Sequence, residues 1–596
     1  MQYPTLLEYM KAIQDAGNNL DKLTHLSVVL DGHGEPYHIS GDSSVVFKMQ
    51  DKTTGKCYAL KCFTKAQKRR ADASSNSSSV KFLEKELLVQ SQGKEEKYPV
   101  ELMDWVDGDS LGASQLKVED MSTVATKAEL NEAITDEFGV KYSKDGRKLL
   151  KVPQKLKGTY AIKEGTKIIC DRAFEDCKSL RSLVIPNSVT SIGEGAFIGC
   201  ESLKSIVLPD GITSIGDETF FGCSSLASLV IPDGVTSIGN GAFAYCGSLK
   251  NLVLPESVVS IKGNLFCKWN GEVKCLSPNF IFEDGVLFNK DKSTIISFRD
   301  KDITSYVIPD SVVSIGDGAF SFCESLKNIV LPNSITSIGF CVFQHCRSLK
   351  SLVIPDSVTS IDTLAFCFCS SLKSLVIPDS VTSIGDGAFC TCESLESLVI
   401  PGGVTSIEKM AFSGCKSLKS IVIPDGVTSI GSGAFSGCES LKSIVIPDSV
   451  TCIGNRAFEF CFSLKSLVLS KSLTRIGDWA FNMAESLESL VIPDSVTSIG
   501  DYAFSGCRSL KSLVISNSVT HITVGAFLSC TSLSSVVIPD GVTSIGEGAF
   551  IGCESLKSIV IPDGVVSIEK DAFRDCNFPN DFKQKLISRF GDKIFG

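Results

Sequence analysis

Apolar positions recur in a fixed cadence between about residues 160 and 577. Residues 178–200 read KSLRSLVIPNSVTSIGEGAFIGC. If residues 180–185 are extended, Leu183 and Ile185 share one face, while Ser182 and Val184 share the other. Pro186 ends that strand, because it has no N–H for a ladder. Val189 and Ile192 predict a second short inward run. Gly193 and Gly195 permit a tight turn, after which Ala196 and Phe197 point inward again and Cys200 closes the phrase. The prolines set the period: Pro186 to Pro255, then Pro309 to Pro447, advance in steps of 23 residues, and Pro493, Pro539 and Pro562 keep step, with Ser470 and Ser516 in the skipped places. A period in the twenties predicts a solenoid, in which each repeat is one coil that buries its apolar face only against its neighbours.

Sixteen coils carry the proline or serine. Their phrase resembles the BspA-type leucine-rich repeat over about residues 139–577. The resemblance implies a right-handed solenoid with a strand-lined face used to bind proteins or surfaces, and it brings no catalytic residues. The expected fold is mainly β: a leucine-rich-repeat solenoid of 23-residue coils with inserted β-hairpins, preceded by a small α+β domain.

Residues 139–174 align without gaps to residues 285–320, and each copy reads as strand, turn, strand, then coil; Asp145-Gly146 is a hairpin signal. The inner copy explains why Pro255 and Pro309 are 54 residues apart. The expected organisation is an N-terminal domain at 1–113, a linker or helical cap at 114–138, a hairpin and first stack at 139–261, an inserted hairpin module at 262–305, a second stack at 306–577 and a helical cap at 578–596. In that last segment Phe582, Leu586, Ile587 and Phe590 share a helical face, with Asn580 as N-cap and Gly591 as stop.

The first 113 residues lack the repeat. Leu6, Leu7, Tyr9, Met10 and Ile13 have helical spacing. VVFKM and CYALKCF, separated by DKTTGK, predict a hairpin. Residues 66–80 are a Ser-rich loop, KFLEKELLVQ reads as a helix, and YPVELMDWVDGDSL reads as a strand running into a turn. This order is similar to the N-terminal lobe of a protein kinase. Tyr58-Ala59-Leu60-Lys61 matches the motif whose lysine pairs with nucleotide phosphates, Met103 to Val106 with Gly108 and Leu111 resemble the hinge, and Glu84 or Glu86 stands for the helix glutamate. The glycine loop keeps only Gly41, with Ile39 and Ser44 in its other glycine places, and neither an H-R-D nor a D-F-G is present. The resemblance therefore implies a truncated, inactive lobe in which Gly41 and Lys61 are vestiges. No cofactor is expected.

Net charge is −10, with a pI of about 5.3, which disfavours nucleic acid as the main partner. The start MQYPTLLEYM has no basic segment ahead of an apolar one, so no signal peptide is expected. No apolar run approaches the ~20 residues of a membrane span. Fifteen of the 24 cysteines occupy one coil position, where a free thiol serves as a small buried apolar group, and Ala484 fills that slot once. Reduced thiols favour the cytoplasm; the alternative is the cell surface by a route without a signal peptide.

Candidate chemistry lies in the outward strand rows. A basic row includes Lys350, Lys373, Lys419, Lys442 and Lys465, and beside it runs an apolar row of Val353, Val376, Val422 and Val445. These are the candidate partner-binding residues, suited to an extended or acidic protein. Cys367 and Cys369 sit one coil below Cys390 and Cys392; the C-x-C spacing is not the usual zinc pattern, so no metal is expected. The sequence thus reads as a non-enzymatic interaction scaffold. A nucleotide-sensing pseudokinase with a solenoid arm, or a surface adhesin, is the alternative.

Overall fold

The computed structural model describes residues 122–299 and 303–596, together with 26–28, 38–41, 44–52, 57–63, 80–91 and 94–104. The chain divides into two units, Met1–Asp120 and Met121–Gly596.

The first unit holds strands β1 (Leu26–Val28), β2 (His38–Gly41), β3 (Ser44–Asp51), β4 (Cys57–Phe63), β5 (Val80–Ser91) and β6 (Lys94–Asp104). All pair antiparallel, in the order β1-β3-β4-β6-β5, with β2 also on β3. The expected hairpin is β3–β4, with Phe47 opposite Leu60. Phe47, Met49, Leu60 and Cys62 are buried, the period of two that a one-sided sheet needs. KFLEKELLVQ, read above as a helix, is instead part of β5. Its Glu, Lys and Leu favour a helix locally, but Val80 to Leu83 and Leu87 to Ser91 pair along β6, with a register break between. The long ladder outweighs the weak helical preference. The helix expected near 5–13, the Ser-rich loop and the hinge-like segment beyond Asp104 lie outside the described residues.

The second unit is a mainly β solenoid of about 18 turns. A typical turn gives a three-residue strand such as Ser374–Val376 and a two-residue strand such as Ser383–Ile384. Most pair in parallel with their equivalents 23 residues away, as in Val353 to Val376 and Ile361 to Ile384. The turn that closes each coil is bonded too: Phe366 N donates to Ala388 O at 2.7 Å and Phe389 N to Ala411 O at 2.8 Å. Coils are therefore hydrogen-bonded to one another on three sides.

Inside, the phenylalanines form a column. From Phe343 to Phe573 successive ring centroids are 5.1–5.7 Å apart and nearly parallel. Beside it the ladder cysteines are all buried, and none is in a disulfide. Each thiol from Cys346 to Cys461 donates to the carbonyl of the phenylalanine 26 residues earlier, as Cys415 does to Phe389 O at 3.3 Å. Glycine is needed where coils approach most closely. A Cβ on Gly500 would lie 2.4 Å from Asp478 N.

Each stack begins with the same hairpin. Lys141–Tyr142 pairs antiparallel with Lys148–Lys151, which starts a parallel ladder at Ile168–Ile169. Val286–Asn289 and Thr294–Phe298 repeat this, leading to Ser314–Ile315. Helix α1 (Lys127–Asn131) precedes the first hairpin with a capping box between Thr126 and Glu129, and Glu129 pairs with Lys148 at 3.0 Å. The inner hairpin is a wall between two cores. Leu287 and Ile296 belong to the first core, with Phe197 and Phe243. Val286, Phe288, Ile295 and Phe298 belong to the second.

Helix α2 (Asn580–Phe590) closes the last coil with Leu586 buried. Asn580 is its first residue rather than its cap; Pro579 holds the N-cap place without a side-chain bond, and Gly591, at φ 85°, ends it. Among the described residues no helix is long and apolar enough to cross a membrane.

Candidate interaction face

One coil shows how the face is built. Leu372 is buried, Lys373 and Ser374 are exposed, Leu375 is buried, Val376 is exposed, Ile377 and Pro378 are buried, and Asp379 is exposed at the corner that follows. Strand alternation alone puts the valine outside. Because every coil repeats the phrase, the exposed residues line up in files. The valine file runs through twelve successive coils from Val307 to Val560, each valine 52–77 % exposed. It includes Val353, Val376, Val422 and Val445.

The lysine file borders it. Lys419 pairs with Glu396 at 2.6 Å and Lys465 with Glu488 at 3.1 Å. The lysine hydrogen bonds hold both glutamates below the usual carboxylate range. Among the described residues Lys350, Lys373 and Lys442 have no carboxylate within 4.0 Å. The two groups differ because glutamate replaces lysine in only two of these coils. An acidic file including Asp356, Asp379, Asp425 and Asp448 forms the opposite border. The face thus runs from positive edge through apolar stripe to negative edge.

The ladder beneath this face is uneven. Ser351 to Val353 pair fully with Ser374 to Val376, but the preceding strand pairs with Ser351 only through Asn328. Where the ladder opens, a hollow of about 370 Å³ lies between Val330 and Val353, floored by Ile329 and Leu352. The repeat phrase gives no sign of it.

The other candidates separate. Cys369 and Cys392 donate into the phenylalanine carbonyls of Phe343 and Phe366, whereas Cys390 Sγ lies 3.5 Å from Thr391 Oγ1 and the neighbouring Cys390 thiol pushes Cys367 up. The four sulfurs have two unrelated roles, and among the described residues no group of three potential ligands converges. Gly41 ends β2 opposite Ser44, and Lys61 lies in β4 between Val46 and Glu101. Glu84 and Glu86 fall on β5, so the helix that would bring a glutamate to Lys61 is replaced by a strand.

One cluster went unnoticed in the sequence. Where six coils have a left-handed glycine before the ladder position, three successive coils have Phe322, His345 and Phe368, all at φ near +60°. The His345 ring stacks on both phenylalanines at 4.3 Å, and burial holds its imidazole below the ordinary value. The signal was a ring side chain at that place in three consecutive repeats.

The family model for the BspA type leucine rich repeat region matches residues 158–272, 295–419, 405–534 and 475–596. The chain belongs to the BspA-type leucine-rich repeat family. A leucine rich cell surface protein from Faecalibacterium prausnitzii shares 31% identity, covering 53% of this chain and 98% of its own, with a TM-score of 0.37. A leucine-rich repeat protein from Bacteroides ovatus shares 26%, covering 78% and 97%, with a TM-score of 0.32. The pneumococcal vaccine antigen PcpA shares 21%, covering 56% and 98%, at 0.38. No curated protein matches. The BspA-type repeats account for the strands, the phenylalanine column and the cysteine ladder; the family model does not extend to residues 1–157.

Proposed function

We propose that this chain is a non-enzymatic scaffold that binds proteins through the strand face of its solenoid. The unbroken file of exposed valines carries this reading. Soluble monomers rarely leave apolar patches larger than a few hundred Å² uncovered, and larger ones mark interaction sites. The flanking lysines would steer an acidic partner. Neither repeat histidine suits catalysis: His345 is sandwiched between rings, and His521 Nδ1 lies 2.8 Å from Thr520 Oγ1. A nucleotide-sensing role loses support with the helix that β5 replaces. Thiols that form no disulfide among the described residues favour a reducing compartment, such as the cytoplasm.

The test is capture of partners by the full chain and by Lys350→Met/Lys373→Met/Lys442→Met, lysines whose removal strands no paired glutamate. Partners should be lost or weakened, with less salt sensitivity. The control is Thr428→Ser/Thr451→Ser on another side, because these hydroxyls donate to Thr405 O and Thr428 O and serine keeps the bond. Equal capture by all three proteins refutes the strand face as the binding surface.

A further inference from the structure

We propose that the valine face binds a second copy of this chain, the two solenoids packing face to face and parallel. This rests on the strand-face reading and names its partner. Stacked parallel strands repeat every ~4.8 Å, so the file from Val307 to Val560 spans roughly 50 Å. An extended peptide laid along it presents side chains on one face every ~6.7 Å, and a helix turns every 5.4 Å. Either falls out of step within a few coils. Another parallel stack of coils has the same spacing, and the second copy supplies it. Valines from facing sheets then interdigitate in a dry seam about 10 Å thick.

A twofold axis along the stacking direction sets each coil opposite the same coil of the second copy and reverses the edges. Lys350 then faces Asp356 of the other copy, Lys373 faces Asp379, and Lys442 faces Asp448. The antiparallel arrangement would set lysine on lysine. Where like charges do meet, at Lys465 with Lys471 and at Glu488 with Asp494, Lys465 and Glu488 are already neutralised within each chain at 3.1 Å. A strip of roughly 50 by 15 Å removes on the order of 1,500 Å² from water in total, the class of a stable interface.

Sedimentation equilibrium of the full chain should give twice 63.9 kDa. Val376→Lys/Val422→Lys/Val445→Lys should be monomeric with unchanged circular dichroism, since these side chains point outward. Lys350→Asp/Lys373→Asp/Lys442→Asp should weaken the dimer about tenfold or more. Adding Asp356→Lys/Asp379→Lys/Asp448→Lys should restore it, even if the valine variant fails to fold. Carbodiimide should join Lys373 to Asp379 between chains; within one chain they are roughly 20 Å apart. A monomer at all concentrations, a dimer indifferent to the valine changes, or no rescue by the swapped charges overturns self-association. A monomer leaves the strand-face reading standing, because that reading is decided by the capture of other proteins.

Discussion

The ladder cysteines show how a residue can be chosen for two properties at once. Each fills a small apolar slot beside the phenylalanine column and gives its weak S–H to a carbonyl in the coil before. Cys415→Ala removes both, and should cost about 1–2 kcal/mol in urea unfolding. The same burial makes the fold sensitive to alkali. Cys415, Cys461 and Cys507 are pushed up to about 12 by desolvation, against ~8.5 for an exposed thiol. A raised pKa means that the folded state keeps its protons after the unfolded chain has lost them. Stability is thus whole below about pH 8.5 and falls as pH climbs toward 12. The urea midpoint should drop between pH 7.5 and 10, and drop less in Cys415→Ala. Sequence spacing was enough to place these thiols inward, because Ala484 shows that the slot is small. It could not show the carbonyl they meet, which depends on where the phenylalanine of the preceding coil sits.

Among the elements, the strand pairs of the repeat were legible because burial alternates with period two and proline marks each end. The β5 strand was not: a Lys-Glu-Leu segment satisfies either geometry locally, and only its pairing with β6 decides. The candidate face was half legible. Alternation exposed Val376 and Lys373, but not the ion pairs that occupy Lys419 and Lys465, nor the hollow at Val330. Helix α2 was legible through its apolar face, since Leu586 falls where a cap must touch the last coil. Leu586→Ala should cost about 2 kcal/mol. Because each coil is held by its neighbours, the loss should appear as faster hydrogen exchange at Ser558–Val560, with Ser374–Val376 unchanged.

For the repeat unit as a whole, the inner hairpin makes two cores share one wall, with Leu287 on one side and Phe288 on the other. Thermal unfolding should resolve into two transitions. Leu287→Ala should lower the one that belongs to the first stack, and Phe288→Ala the other. Excising Asp425 to Pro447, one whole coil, should leave a cooperatively folded protein, whereas removing one residue fewer should not, because every later side chain would then face the wrong way.

The hydrogen bonds on all three sides of a coil join residues 20 to 26 apart, as Cys415 reaches Phe389 and Thr428 reaches Thr405. That separation is the same at the first coil and the last. In a unit running from residue 121 to 596, it gives a relative contact order of roughly 0.05, below that of most helical bundles. Sheet proteins usually fold slowly because their strands must find distant partners. Here each strand finds its partner one coil away, so the search does not lengthen as coils are added. This β protein should therefore nucleate and grow at rates otherwise typical of helices.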